Sequence, residues 1–394
     1  MSVLFQSITM ALIVGTLAGC GSVALQSPPT VASAPVPSSA TLPPVSMADD
    51  EVAPSRPAIM QARSRWVAVR WAELPGFADD PLHEAWNAWL GSCEKPLAPW
   101  VALCNEVRRL SIATPDAQRQ WLMRSFQAYR VEPLQAAQTA QSPPHEGLLT
   151  AYYEPVLEAS RAPTSTFKVP LYQPPANLAQ KRPWYTRQEI DTLPAAQAAL
   201  KGREIAYLAD PVDALVLQIQ GSGRLRITQP DGSKITTRVA YAGTNDQPYK
   251  SVGRWLLDQG AIKDATWPGI KAWTQQNPKR VQEMIWSNPR TVFFREEPLP
   301  DGDASLGPKG AQGVPLTAGR SIAVDPGSIP YGTPVWLASS GPQVNLQKLV
   351  MAQDTGSAIV GAVRADYFVG SGLEAGELAG RVKQPLSLWV LWPK

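Results

Sequence analysis

Three aspartates in the C-terminal part of the chain stand in similar settings: Asp325 in AVDPGSIPYGTPVWL, Asp354 in VMAQDTGSAI and Asp366 in VRADYFVGSG. Each lies at or near the end of a strand-like run with Gly or Pro close by, so a fold could gather them towards one rim. Asp354 is the most informative, because it ends the apolar run KLVMAQ and is followed at once by the small, turn-forming Thr355-Gly356-Ser357. A carboxyl placed there can be partly buried, with a raised pKa, and still reach a ligand from the end of a sheet. That is the position of an acid catalyst. Asp325 before Pro326 also reads as a turn opener, and Asp366 as a cap on a loop amide.

Other chemistries find less support. The chain has only 2 histidines, His83 and His145, with no metal-ligand spacing around either. This argues against a zinc site and against a Ser-His-Asp triad. Asp354-Thr355-Gly356-Ser357 also spells the aspartic-protease signature, in which two carboxylates share a proton. No second Asp-Thr-Gly or Asp-Ser-Gly occurs to complete that pair. The net charge is a modest +3 without a Lys/Arg-rich run interleaved with aromatics, which speaks against nucleic acid. The 14 tryptophans could stack on sugar faces, but Trp86, Trp89 and Trp121 sit on helix-like segments and read as packing.

The elements that must position an acid come after a long approach. Val3 to Ala18 is a short apolar run closed by Leu17-Ala18-Gly19-Cys20, the pattern of a lipoprotein signal peptide (1–20) cleaved before a lipid-bearing Cys20. The run is short for a span of about 20 residues, so a transmembrane anchor is the lesser reading. The segment 21–63 is rich in Pro, Ser and Ala and reads as an extended tether. Apart from Cys20 there remain Cys93 and Cys104, an even pair in an oxidising compartment, readable as a disulfide or as two buried thiols.

The rest of the chain exceeds the usual single-core size, so two domains are expected. Pro81 to about Arg130 reads as helical, with Thr114 as N-cap, Pro115 at the first helical position and an end near Tyr129. Leu148 to Tyr153, Leu215 to Thr228 and Ile235 to Tyr241 read as strands, divided by turns at Gly221-Ser222-Gly223 and Asp231-Gly232. Tyr249 to Gln259 and Pro278 to Trp286 read as helices, and the final part as a small β-barrel.

These residues carry a resemblance. The stretches LTAYYEPVLEAS, VPLYQPP, LVLQIQGSGRL, YAGTNDQPYKSVGRWLLDQG, NPRTVFF, GVPLTAGRSIAVDPGSIPYGTPVWL and the Asp354 segment resemble the membrane-bound lytic transglycosylase A family, from about Leu148 to the C-terminus. The last part looks like the 3D domain, named for three aspartates that match Asp325, Asp354 and Asp366. The resemblance implies a mainly β fold, a double-psi β-barrel with an inserted smaller β-domain and, ahead of it, an N-terminal helical lead-in. The expected parts are 64–153 for the lead-in and first barrel part, 154–289 for the insert lining a glycan groove, and 290–394 for the second barrel part. Substrate contacts are expected from Tyr152, Tyr153, Gln218, Gln220, Gly221, Ser222, Gly223, Tyr241, Gly356, Ser357 and Ala358.

Glycoside cleavage usually takes two carboxyl groups. In peptidoglycan the MurNAc C6 hydroxyl can instead attack C1 of its own sugar, a tethered nucleophile that replaces water. The resemblance therefore implies a lytic transglycosylase that leaves 1,6-anhydromuramoyl ends, with Asp354 as acid and then base and Asp325 and Asp366 in support. No metal or organic cofactor is expected. The expected partners are peptidoglycan glycan strands, the outer membrane through a lipid on Cys20, and cell-wall assembly proteins. A non-catalytic glycan-binding protein, a hydrolase and an aspartic protease are the alternatives.

Overall fold

The computed structural model describes residues 56–134, 146–299 and 306–394. The expected signal peptide, Cys20 and most of the tether lie outside the described residues. No helix among the described residues is long and apolar enough to cross a membrane. Order begins earlier than the expected tether end at 63, because Ile59 and Met60 already pair with Trp66 and Arg65.

The chain is mainly β. In order, the strands are β1 (Ile59–Met60), β2 (Ser64–Ala68), β3 (Phe126–Pro133), β4 (Gly147–Glu154), β5 (Val156–Ser160), β6 (Val169–Tyr172), β7 (Glu204–Leu208) and β8 (Ser222–Thr228). They continue with β9 (Lys234–Thr244), β10 (Val292–Pro298), β11 (Ser321–Val324), β12 (Pro334–Ser340), β13 (Asn345–Asp354), β14 (Arg364–Ser371) and β15 (Lys383–Pro393). Among the described residues they make a nine-stranded sheet, in the order β1-β2-β3-β15-β12-β13-β11-β14-β4, and a six-stranded sheet, in the order β10-β9-β8-β5-β7-β6.

The larger sheet curls nearly into a barrel because its last strand is shared. Residues Lys383 to Leu386 of β15 pair with β4, while Trp389 to Pro393 pair with β3 and the opposite edge pairs with β12. Two pairings within the circuit, β11 with β13 and β14 with β4, are parallel. Side chains alternate across each strand. On β13, Val350 and Ala352 enter the barrel core with Val324, Val335, Ala365 and Leu388. Leu349 and Met351 face the other way, into a second core with Trp86, Trp89, Trp121 and Trp336. Trp86, Trp89 and Trp121 are thus packing residues.

That second core is made by the helices His83–Ser92, Cys104–Arg109 and Pro115–Ser125. A disulfide joins Cys93 to Cys104, closing the loop between the first two. Thr114 caps the third by accepting from Ala117 N–H, with Pro115 in its first turn. The helix stops at Ser125, short of Tyr129, because Phe126 to Pro133 is claimed by pairing with β2 and β15.

The smaller sheet departs from the sequence expectation in two places. Leu215 to Gln220 is not strand: Pro211–Gln220 is a helix, capped by Asp210 and ended by Gly221 at φ +80°. Gly221 is therefore a left-handed helix stop, not part of a hairpin turn. Secondly, Thr291 to Phe294 was expected to open the second barrel part, but β10 pairs with β9 in the smaller sheet. The hairpin at Asp231-Gly232 is present, with Asp231 accepting from Ser233 N–H.

Glu154 ties the two sheets together. Its fully buried carboxylate meets Arg224 Nε at 2.7 Å and Arg238 Nε at 2.5 Å, both from the smaller sheet, and accepts from Ser371 Oγ at 2.8 Å. The same two arginines donate to the Leu306 carbonyl at 3.0 and 2.7 Å. They so anchor the segment that runs on to Ala311.

Candidate active site

Asp354 owes its direction to an irregularity in β13. Along the parallel β11–β13 pair, Ile322 matches Ala352 but Ala323 matches Asp354, so one extra residue, Gln353, is accommodated. Such a bulge re-aims the side chain beyond it. Gln353 turns to the helical core and donates to Ala88 O at 2.7 Å, while Asp354 comes level with Ala323. On its other side Ala323 matches Asp366 of β14, so β11 carries an acid on each flank. Asp366 in turn matches Thr150, and Phe368 matches Tyr152, on β4.

Two donors hold the Asp354 carboxyl. Tyr152 Oη donates to Oδ2 at 2.9 Å, and Ala311 N–H donates to Oδ1 at 2.9 Å. Gly310 makes the second contact possible, since a Cβ there would stand 2.5 Å from Gln353 O and 3.2 Å from Asp354 Cβ. Burial raises the Asp354 pKa to about 6; the hydrogen bonds from Thr355, Ala311 and Tyr152 pull it down, and Asp366 adds a smaller upward push. Burial first, and then Asp354 itself, raises the Tyr152 pKa, so the phenol stays a neutral donor.

The other two aspartates are differently engaged. Asp366 is raised by burial, against the lowering effects of Thr150 and Arg364. Thr150 Oγ1 donates to it at 2.5 Å while accepting from Arg364 at 2.8 Å. Asp325 clasps loops: it accepts from Gly327 N–H at 2.9 Å and Gly361 N–H at 2.8 Å, and Arg63 Nε stands 3.4 Å away.

Asp354 opens into a cleft of about 560 Å³ whose walls come from both sheets and from the Pro308 to Ala311 segment. Models of the MltA specific insert domain and of the 3D domain match residues 148–295 and 320–392. A lytic transglycosylase, LtgG, of Burkholderia pseudomallei is 41% identical, covers 87% of this chain and 99% of its own, and superposes with a TM-score of 0.56. MltA from Neisseria gonorrhoeae is 31% identical, over 86% of this chain and 95% of its own, with a TM-score of 0.67. The membrane-bound lytic murein transglycosylase A of Vibrio cholerae is 32% identical over 258 residues, 62% of this chain; the chain spans 65% of that relative's length.

The chain belongs to the MltA family. Within this MltA-family cleft lie most of the residues singled out from the sequence: Tyr152, Gln218, Gln220, Gly221, Ser222, Tyr241, Asp354, Gly356, Ser357, Ala358 and Asp366. Three lie off it. Asp325 is spent on its loops, and Tyr153, next to Tyr152 on an alternating strand, packs its ring where a Cβ on Gly376 would be 2.7 Å away. Gly223 faces Leu217, whose Cδ1 would be 2.4 Å from an added Cβ, so that glycine serves packing.

Sequence reasoning missed the cations of the MltA-family cleft, Arg187, Arg290, Arg295 and Lys309, and with them Asn288, Tyr249 and the Ala311 amide. Asn288 and Arg290 sit within the quoted NPRTVFF stretch, which could have drawn attention to them. Arg187 and Lys309 carry no local pattern, and a backbone N–H has no sequence signature at all.

Proposed function

We propose that this chain is a peptidoglycan lytic transglycosylase that cleaves the MurNAc-GlcNAc β-1,4 bond and leaves a 1,6-anhydromuramoyl end. The observation that carries the reading is Asp354: one carboxyl with its pKa near 6, held by a phenol and a backbone amide, facing a cleft of about 560 Å³. Protonated, it gives its hydrogen to the departing glycosidic oxygen. As a carboxylate it then takes the C6 hydroxyl proton while that oxygen closes on C1. Tyr152 and Ala311 keep the carboxyl in place through both steps and stabilise its charged interval.

The engagement of the remaining acids supports a single-carboxyl route. Asp325 is tied to two loop amides and Asp366 to Thr150, so neither stands ready as the water-activating base or nucleophile of an ordinary glycosidase. Both parallel strand pairs within the near-closed barrel favour the double-psi description, with the segment between β4 and β11 supplying the smaller sheet as the groove's second wall. With 1–20 read as a lipoprotein signal, Gly21 rather than Asp after Cys20 favours the outer membrane, facing the periplasm, where sacculi are within the tether's reach.

Incubation of the purified protein with sacculi tests the reaction type. Mass spectrometry should find muropeptides lighter by one water than the reducing-end products of a hydrolase. Reducing ends alone would make the protein a hydrolase, and no release at all would favour a glycan-binding role.

A further inference from the structure

The smaller sheet's side of the cleft holds a buried cation that makes no ion pair among the described residues. Arg187 is 7% exposed and lines the cleft. Its Nε donates to Asn288 O at 3.0 Å, and its Nη2 donates to Gln218 Oε1 at 2.8 Å and to the Arg290 carbonyl. Every hydrogen-bond partner is neutral, Nη1 has none among the described residues, and no carboxylate there lies within ion-pair distance; Asp191, on the same helix, acts on the group only from farther off. A buried charge ordinarily has a paired opposite charge, because leaving it alone forfeits hydration without return. Elsewhere this protein obeys that rule: Glu154 faces Arg224 and Arg238, and Arg320 faces Asp80.

Two further cations line the cleft, Arg290 half-buried and Lys309 exposed. Neither forms an ion pair among the described residues; Arg290 reaches only the Gln247 carbonyl, at 3.4 Å. Arg295 is satisfied by Glu297 and adds little. The cleft thus holds three unpaired cations, against Asp354 and Asp366 on the barrel side. A neutral sugar chain would leave the buried Arg187 without an ion pair. A carboxylate carried by the ligand would complete it, and guanidinium groups suit that geometry.

We propose that Arg187, with Arg290 and Lys309 lining the same cleft, forms a subsite for a carboxylate of the substrate's muramoyl units, so that the cleft selects anionic glycan over neutral chitin-like chains. The inference rests on the glycan reading of the cleft. Two sources offer the carboxylate: the lactyl group of a strand stripped of peptide, or the peptide stem of an intact one.

Binding to Asp354→Asn protein, expected to hold ligand without cleaving it if Asp354 is the acid, provides the test. The probes are chitohexaose, oligosaccharides freed of stems by an amidase, and stem-bearing oligosaccharides, each with and without Arg187→Gln. The added substitution should weaken the carboxylate-bearing probes about tenfold or more, the worth of one charged hydrogen bond. Chitohexaose affinity should hold. Loss with stripped strands assigns the lactyl group, and loss with stem-bearing strands alone assigns the stem. Equal loss for chitohexaose, or no loss for either anionic probe, overturns the subsite. If Arg187→Gln fails to fold, Arg290→Gln with Lys309→Gln must give the same split. Should none of the probes bind at all, the glycan reading itself falls; if chitohexaose binds and charge makes no difference, only the subsite does.

Discussion

The Tyr152 hydroxyl donates to Asp354 Oδ2 at 2.9 Å and so opposes the burial that lifts this acid's pKa to about 6. A hydrogen bond to a carboxylate favours its charged form, and losing the bond must raise the pKa further. Tyr152→Phe retains the ring beside Phe368, 5.3 Å away between centroids, and removes only the donor. The alkaline limb of the kcat/KM profile should move to higher pH, and kcat should fall roughly tenfold, the worth of one hydrogen bond to a charged group. An unmoved limb would separate Tyr152 from the acid.

Asp366 acts on the same group with the opposite sign. Its charge adds to the rise in the Asp354 pKa, though less than burial does. A general acid must be protonated, so wild-type activity should decline as pH rises through about 6. Asp366→Asn removes the neighbouring charge, makes Asp354 easier to ionise, and should shift that decline to lower pH. The shift should be smaller than the one Tyr152→Phe produces in the other direction.

The Glu154 junction predicts a stability effect. Glu154→Gln leaves Arg224 and Arg238 buried against a neutral amide, and breaking a buried pair from one side costs about 3–5 kcal/mol. Urea unfolding should record this as a lowered midpoint. A change below about 1 kcal/mol would mean that the junction is no better than a surface pair.

How much of this was readable beforehand depends on how local each signal is. Asp354 could be found because an apolar strand, an acid and a Gly-rich turn are contiguous in sequence. The mainly β character followed from alternation, and Thr114-Pro115 announced a helix start that the structure keeps. Leu215 to Gln220 misled because a buried helix and a buried strand have the same apolar texture. Asp210, Pro211 and Gly221 were the proper cap, start and stop signals for that helix. The bulge at Gln353, the Ala311 amide and the neutral partners of Arg187 depend on pairing between distant segments, which no local pattern encodes.

The raised acid also implies a trade between stability and activity. Asp354 ionises near 3.8 in an unfolded chain and near 6 in the fold, so stability present below the lower value is lost as pH rises through the higher one. Asp354→Asn escapes that loss. It should be more stable than wild type above pH 6, by at most about 3 kcal/mol for a difference of roughly two pH units, and no more stable in acid. Denaturant melts of both proteins at several pH values check the sign.

The most direct measurement compares wild type with Asp354→Ala for the rate at which anhydromuropeptides leave purified sacculi, with circular dichroism verifying that both are folded. A single acid-base carboxyl predicts release by wild type and a loss of at least about a hundredfold in the variant. Equal release from both would place the acid on another residue and contradict the account.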